Sequence, residues 1–404
     1  MSTIRKIVAT ATASVLGAMT LAACGDSTTE AADSLEEMDN ITLSIADIDP
    51  EGGVYNNALK VFMEEVETAS DGKITFEMYS AGSLMPGGEM LQGIGSGTAD
   101  IGRIISFYFP NELPASNWIT ELGNVKSDSY PHGLIESAMS GQRIHMMDGP
   151  VKDEFESNNL VPIVDYPTAQ AYDLLCTKPV NSAADAEGLR VRTGGALHVN
   201  EVKAMGMVPV DLPVTEMYEG LQRGIVDCAA LNLSGHINYS LWEVAPYYVP
   251  TAMSQLNAMP VVINKDTWDS LPPEAQQILR DAGTTSLTSL LDEFVSIYKR
   301  FAVEGPADHK IQFQDSSELD AKLLAFQEER VEKAKNSAPS GVDAPALISE
   351  IENSNTHWRG VLENEVKLPV ADRDPKAIQD SYIEAGDLDL TPLWSDIEEY
   401  DFSG

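Results

Sequence analysis

The chain has few basic residues, few aromatics and almost no cysteine. Lysine and arginine together number 26, against 63 aspartates and glutamates, for a formal net charge of −37 over 404 residues. So acidic a surface repels phosphate backbones and argues against nucleic acid as a partner. It is compatible with a salty medium, where screening removes self-repulsion. The six histidines show no ligand spacing near the three cysteines, so neither a metal site nor a cofactor is expected. Gly-x-Ser-x-Gly, His-Glu-x-x-His and a Ser/His/Asp grouping with structural context are missing, which leaves a secreted hydrolase only scattered carboxylates to work with. No enzymatic activity is expected. Beyond residue 23, no stretch approaches the roughly eighteen uninterrupted apolar residues of a membrane span.

What is present begins at the N-terminus. Arg5 and Lys6 precede an apolar run from Ile7 to Ala23, and the run ends in Leu21-Ala22-Ala23-Cys24. This reads as a signal peptide (1–23) with a lipobox, so that Cys24 would carry lipid and anchor the chain to a membrane without spanning it. Residues 24–40 are rich in Ser, Thr, Ala, Asp and Glu, with no periodic apolar face, and read as a flexible tether. Residues 41–404 are enough for two lobes with sizeable cores. Cys176 and Cys228 remain; outside the cytoplasm they can join or stay as two buried thiols, and both readings stand.

The stretch from Gly188 to Leu231 alternates strand, helix, strand, helix, strand. Leu189-Arg190-Val191-Arg192 has strand period, Gly194-Gly195 breaks it, and Ala196 to Met205 reads as a helix that Gly206 ends. Val208 to Leu212, flanked by Pro209 and Pro213, suits a sheet edge or a loop. A second helix over Thr215–Arg223 and an apolar strand from Ile225 to Leu231 complete the unit. Arg192 therefore sits at the carboxyl end of a strand, before a glycine pair and a helix start. Ligands of open α/β sheets bind there, and a guanidinium can grip a carboxylate with two parallel hydrogen bonds. The competing reading of Arg192 is a solvated surface arginine.

The segment from Ile41 to Ile105 repeats the alternation: a strand at Ile41–Ala46, a helix at Val54–Thr68, a strand at Lys73–Tyr79, a helix at Gly87–Ile94 and a strand at Ala99–Ile105. Helices packed on a mixed or parallel sheet follow from it. Gly93-Ile94-Gly95-Ser96-Gly97 ends a helix and precedes a strand, the reverse of a dinucleotide loop. Arg103, Phe107, Tyr108 and Phe109 follow the last of these strands, where aromatics line either a pocket mouth or the core. Phe155 to Leu175 contains a strand pair, around Val161–Val164 and Ala171–Leu175. A long helix over roughly Glu274–Val303 is followed by a charged helix over Gln314–Asn336. The tail after Ala346 shows helical pieces and no motif.

Gly188-Leu189-Arg190-Val191-Arg192, followed by Gly206, Pro209, Glu216, Tyr218, Leu221, Gln222, Gly224, Val226 and Asp227, resembles the core signature of the solute-binding proteins of tripartite ATP-independent periplasmic (TRAP) transporters. Ser70-Asp71-Gly72-Lys73-Ile74, Gly82-Ser83-Leu84 and Gly97-Thr98-Ala99-Asp100 resemble the opening of the same family. The likeness covers most of residues 41–305 and puts the family's first crossing between lobes in the stretch from Phe155 to Leu175. It implies an α/β, two-lobe periplasmic-binding-protein-like fold with a long lobe-spanning helix. Lobe I would comprise residues 41–169 plus 258–297, and lobe II residues 170–257 plus 298–404 with the C-terminal helices. It also implies an extracytoplasmic protein that captures a small organic acid and delivers it to TRAP permease subunits. Presentation of the ligand to a membrane sensor is the alternative partner.

The resemblance makes Arg192 the ligand-carboxylate clamp, with donors from the Gly195-Ala196 turn. Tyr172 stands where some members carry a second ligand arginine, and Tyr108 where sialic-acid-binding members carry another. Several members place a ligand asparagine at the position of Leu231; Asn232 is one residue later, on the opposite strand face unless a bulge intervenes. Asp47, which opens the loop after the first strand, and Val214, next to Pro213, complete the candidate contacts. Cys228 replaces the family's usual glycine.

Overall fold

The computed structural model describes residues 34–168, 171–194, 196–255, 259–367, 374–400 and 402. Its strands are β1 (Ile41–Ala46), β2 (Ile74–Tyr79), β3 (Ile101–Arg103), β4 (Leu160–Asp165), β5 (Tyr172–Cys176), β6 (Arg190–Thr193), β7 (Val208–Asp211), β8 (Cys228–Leu231), β9 (Tyr247–Met253), β10 (Pro260–Asn264) and β11 (Gln312–Phe313). Among the described residues they form two sheets, ordered β2-β1-β3-β10-β4 and β11-β9-β5-β8-β6-β7. β1, β2 and β3 run parallel, as do β6, β7 and β8, because a helix lies between successive members.

The helices form where the apolar spacing demands. In Val54–Ala69, Tyr55, Ala58, Leu59, Phe62 and Val66 are buried on one stripe, with Val61 half-buried beside it. The helix Pro273–Asp308 starts with proline at its first turn, where a missing N–H costs nothing. Its early half lies against the first sheet, where Tyr166, just after β4, bonds Ser286 Oγ at 2.8 Å; farther along, Glu293 accepts from Asn57 of the helix Val54–Ala69 at 3.2 Å. Its later half packs Phe301 edge-on against Tyr248 of the second sheet, with ring centroids 4.8 Å apart. One helix thus spans both lobes, as expected.

β4 joins β10 in one sheet, while β5 lies between β8 and β9 in the other, so the chain crosses between the sheets here, where the family resemblance puts its first crossing. One strand expectation changes. β3 shrinks to three residues because Ser106–Tyr108 turns into a short 3-10 helix.

In the tail, Ala344–Val361 packs along His132–Met146 beside the first sheet, through Arg359 to Glu136 at 2.8 Å and Arg143 to Glu350 at 3.5 Å. The final stretch of the expected tether is tied down as well: Met38 is buried, and Lys73 Nζ donates to the carbonyls of Glu36 and Met38 at 2.6 and 2.9 Å. Residues 1–33, with the signal peptide and Cys24, lie outside the described residues.

Candidate functional site

Each sheet reverses its winding at a strand pair that carries an arginine. In the first sheet the chain runs from β1 to β2 at the edge, then returns to place β3 on the far side of β1. In the second it runs from β6 to β7 at the edge, then returns to place β8 on the far side of β6. Such reversals open a crevice outside the carboxyl ends of the strands. Arg103 ends β3 in one crevice; Arg192, paired with Ala229 of β8, lies near the end of β6 in the other.

Arg192 is 8% exposed, which removes the reading of a solvated surface residue. Its Nε donates to the Leu212 carbonyl at 2.9 Å. A Cβ added to Gly194 would lie 3.3 and 3.4 Å from the two terminal guanidinium nitrogens, a tight contact that glycine avoids. Among the described residues no carboxylate comes within ion-pair distance of Arg192. Burial lowers its pKa from the usual arginine value, offset in part by Tyr172, Asp211, Tyr108 and Tyr239, and the side chain stays charged. Burying a cation is costly, and a bound anion offsets that cost.

Tyr172 begins β5 on the same side of the sheet end, and burial pushes its phenol up to about 12, with Arg192 opposing the rise. Its ring stacks on His198 at 4.0 Å between centroids. His198 lies on the helix Ala196–Ala204 one turn before Glu201, which is fully buried and accepts from Ser254 N at 2.9 Å, Gln327 at 3.0 Å and Arg330 at 2.9 Å. Arg330 also donates to Glu121 O at 3.0 Å and Asn124 Oδ1 at 2.7 Å. The wall of the crevice is thereby locked to the helix Ser317–Lys335.

The other expected contacts fall as follows. Tyr108 is 48% exposed, packs edge-on against Phe107 at 4.6 Å, and is an electrostatic neighbour of both Arg103 and Arg192. Val214 is half-buried and opens the 3-10 turn next to Leu212. Gly195 lies outside the described residues, and Ala196 begins its helix. Asn232 follows β8 as the N-cap of Leu233–Asn238; its Oδ1 accepts from Gly235 N at 2.8 Å, and its Nδ2 donates to Thr168 O at 3.1 Å. Its carboxamide is thus occupied in joining that helix to the crossing after β4.

Asp47 is fully buried and bonded to Asn56 Nδ2 at 3.0 Å and the Asp49 amide at 3.1 Å. Arg103 was weighed in the sequence only beside the aromatics that follow it. It is 2% exposed, contacts Asp49, lies 3.9 Å from Asp47 Oδ1 and sits 4.2 Å above the Tyr55 ring. Its signal was the one used for Arg192: an arginine at the carboxyl end of a strand.

Arg190 has a different task from its neighbour. Its guanidinium reaches Asp227 at 2.9 Å and the Gly224 carbonyl at 2.7 Å, and Lys178 also pairs with Asp227 at 2.9 Å. Burial pushes the Asp227 pKa up, but the bonds from Arg190 and Lys178 win and hold its carboxyl well below the usual range. The Arg-x-Arg repeat thus separates into one structural and one crevice-facing arginine.

Two α/β lobes, two strand crossings and one shared helix define the architecture of a two-lobe binding protein. The chain belongs to the bacterial extracellular solute-binding proteins, family 7, whose family model matches residues 45–318. These are the binding proteins of TRAP transporters. It is 23% identical over 246 residues to a monocarboxylate 2-oxoacid-binding periplasmic protein of Nostoc sp., a match that covers 57% of this chain and 62% of the Nostoc protein. A marine metagenome TRAP solute-binding protein specific for pyroglutamate superposes with a TM-score of 0.65 at 18% identity, covering 78% of this chain and 99% of that one. A TRAP periplasmic solute-binding protein of Sulfitobacter sp. with bound β-D-galacturonate gives a TM-score of 0.61 at 21% identity, covering 78% and 100%. The solved structures share the fold.

Among the described residues, no group of three or more His, Cys, Asp or Glu side chains could hold a metal ion, and no helix is long and apolar enough to cross a membrane.

Proposed function

We propose that the protein captures a small organic acid outside the cytoplasm and delivers it to a TRAP permease, with Arg192 as the carboxylate clamp. The observation that carries this reading is the buried guanidinium of Arg192, with no carboxylate beside it among the described residues and a glycine held against it. Tyr172 and Tyr108 would line the ligand and Val214 would abut it. The named ligands of the three relatives (a 2-oxo monocarboxylate, pyroglutamate and galacturonate) are all acids of this size. Closure would swing lobe I, built on the first sheet, against lobe II, built on the second. The two crossings and the helix Pro273–Asp308 would flex between them.

A thermal-shift screen against a library of small organic acids tests the reading. An acid held at about a hundred times its Kd should stabilise the folded state by about 2.7 kcal/mol, visible as a rise of several degrees in Tm. A library in which no carboxylate raises the Tm would remove organic-acid capture from consideration.

We further propose that Cys24 is the first residue of the mature chain and carries lipid, on the strength of Leu21-Ala22-Ala23-Cys24 behind a basic-then-apolar leader. Mass spectrometry of the N-terminal peptide from a native membrane fraction should show diacylglycerol on this thiol. An unmodified N-terminus at another residue would refute it.

A further inference from the structure

The two switch-point arginines differ in one respect: Arg192 has no carboxylate partner among the described residues, whereas Arg103 has two. Asp49 contacts the Arg103 guanidinium, and Asp47 stands 3.9 Å away with its remaining bonds made to Asn56 and the Asp49 amide. Asp47 is fully buried and fixed, while the Asp49 side chain retains 26% of its exposure and can still accept a hydrogen bond. Arg103 Nε is buried without a hydrogen-bond partner among the described residues, so the guanidinium is saturated in charge but not in hydrogen bonding. Tyr55 lies under it, and Tyr108 is an electrostatic neighbour of both arginines. Arg103 with its two aspartates therefore carries no net positive charge, while Arg192 has no carboxylate within ion-pair distance among the described residues.

We infer that Asp49, backed by Asp47, is the specificity-determining residue of the cleft. It occupies Arg103 as a built-in counter-ion, so that the cleft takes an acid with one carboxylate and a hydrogen-bond donor at its far end, and rejects dicarboxylates. The inference rests on the reading of Arg192 as the carboxylate clamp. A second ligand carboxylate arriving at the first sheet would meet Asp49 and Asp47 at close range, where like charges in a poorly hydrated site repel strongly. A hydroxyl or amide N–H at that end would instead donate to Asp49. Specificity of this kind comes from a repulsive element as much as from an attractive one.

Matched probes separate charge from shape: succinate against succinamate, and glutarate against glutaramate, titrated calorimetrically into the mature protein. The wild type should bind each monoamide at least tenfold more tightly than its diacid. Asp49→Asn keeps the size of the side chain and releases Arg103, so the preference should fall at least tenfold or reverse; Asp49→Ser serves as a second variant should the first not fold. Equal or tighter binding of the diacids by the wild type, or an unchanged preference in a folded Asp49 variant, would overturn the inference. Arg192→Ala, measured in parallel, isolates the underlying reading: undiminished binding there would show that the clamp itself is misplaced. Failure of all four acids counts against this inference alone if the wider thermal-shift library yields a ligand, and against both readings if it does not.

Discussion

Replacement of Arg192 by alanine is expected to weaken ligand binding on the order of a hundredfold or more, and replacement by lysine about tenfold or more. Each hydrogen bond to a charged group contributes about 1.5–3 kcal/mol, and a guanidinium offers a carboxylate two in one plane. Lysine restores the charge but not the planar fork, so it cannot recover what alanine loses. The unliganded alanine variant should melt no lower than the wild type, because the substitution removes a buried cation with no carboxylate within ion-pair distance among the described residues. Arg190→Ala is the informative comparison. It breaks the pairing with Asp227 and should lower stability while leaving affinity nearly intact. Titration calorimetry and thermal unfolding on the three variants check both halves. Affinity in Arg192→Ala within twofold of wild type would put the clamp elsewhere.

Opening the bond between Cys176 and Cys228 is expected to cost about 4 kcal/mol of unfolding free energy, from the loop entropy released across a separation of 52 residues. The two cysteines face each other in register on β5 and β8, both fully buried, and their bond closes the middle of the second sheet. β6 pairs with β8 through Val191 and Arg192, so the bridge also braces the strand that presents the clamp. A Cys176→Ala, Cys228→Ala double variant should unfold at markedly lower denaturant than the oxidised protein. Thiol titration of the denatured, unreduced wild type should find neither cysteine free. Two titratable thiols from these positions in protein prepared under oxidising conditions would contradict the bridge.

The chain by itself determined a good deal of this. β1, the helix after it, β2, the Arg192 unit and the long helix were legible because each is local: apolar period, glycine or proline boundaries, and turn chemistry lie within some tens of residues. The position of Arg192 near the end of β6 was legible for the same reason, since strand, glycine and helix start follow one another directly. What the chain left open was settled by contacts between distant segments. Two thiols, at 176 and 228, become one bond only because β5 and β8 are neighbours in a sheet. Where Ala344–Val361 packs, along His132–Met146, depends on surfaces that no local pattern encodes.

The sharpest case is the arginines. Arg190, Arg192 and Arg103 are chemically identical, and each lies on a strand. Only the fold brings Asp227 to the first, leaves the second without a carboxylate among the described residues, and gives Asp47 and Asp49 to the third. Charge acts through space at a range of a few ångströms, so its balance is decided by which side chains the tertiary structure brings within that distance.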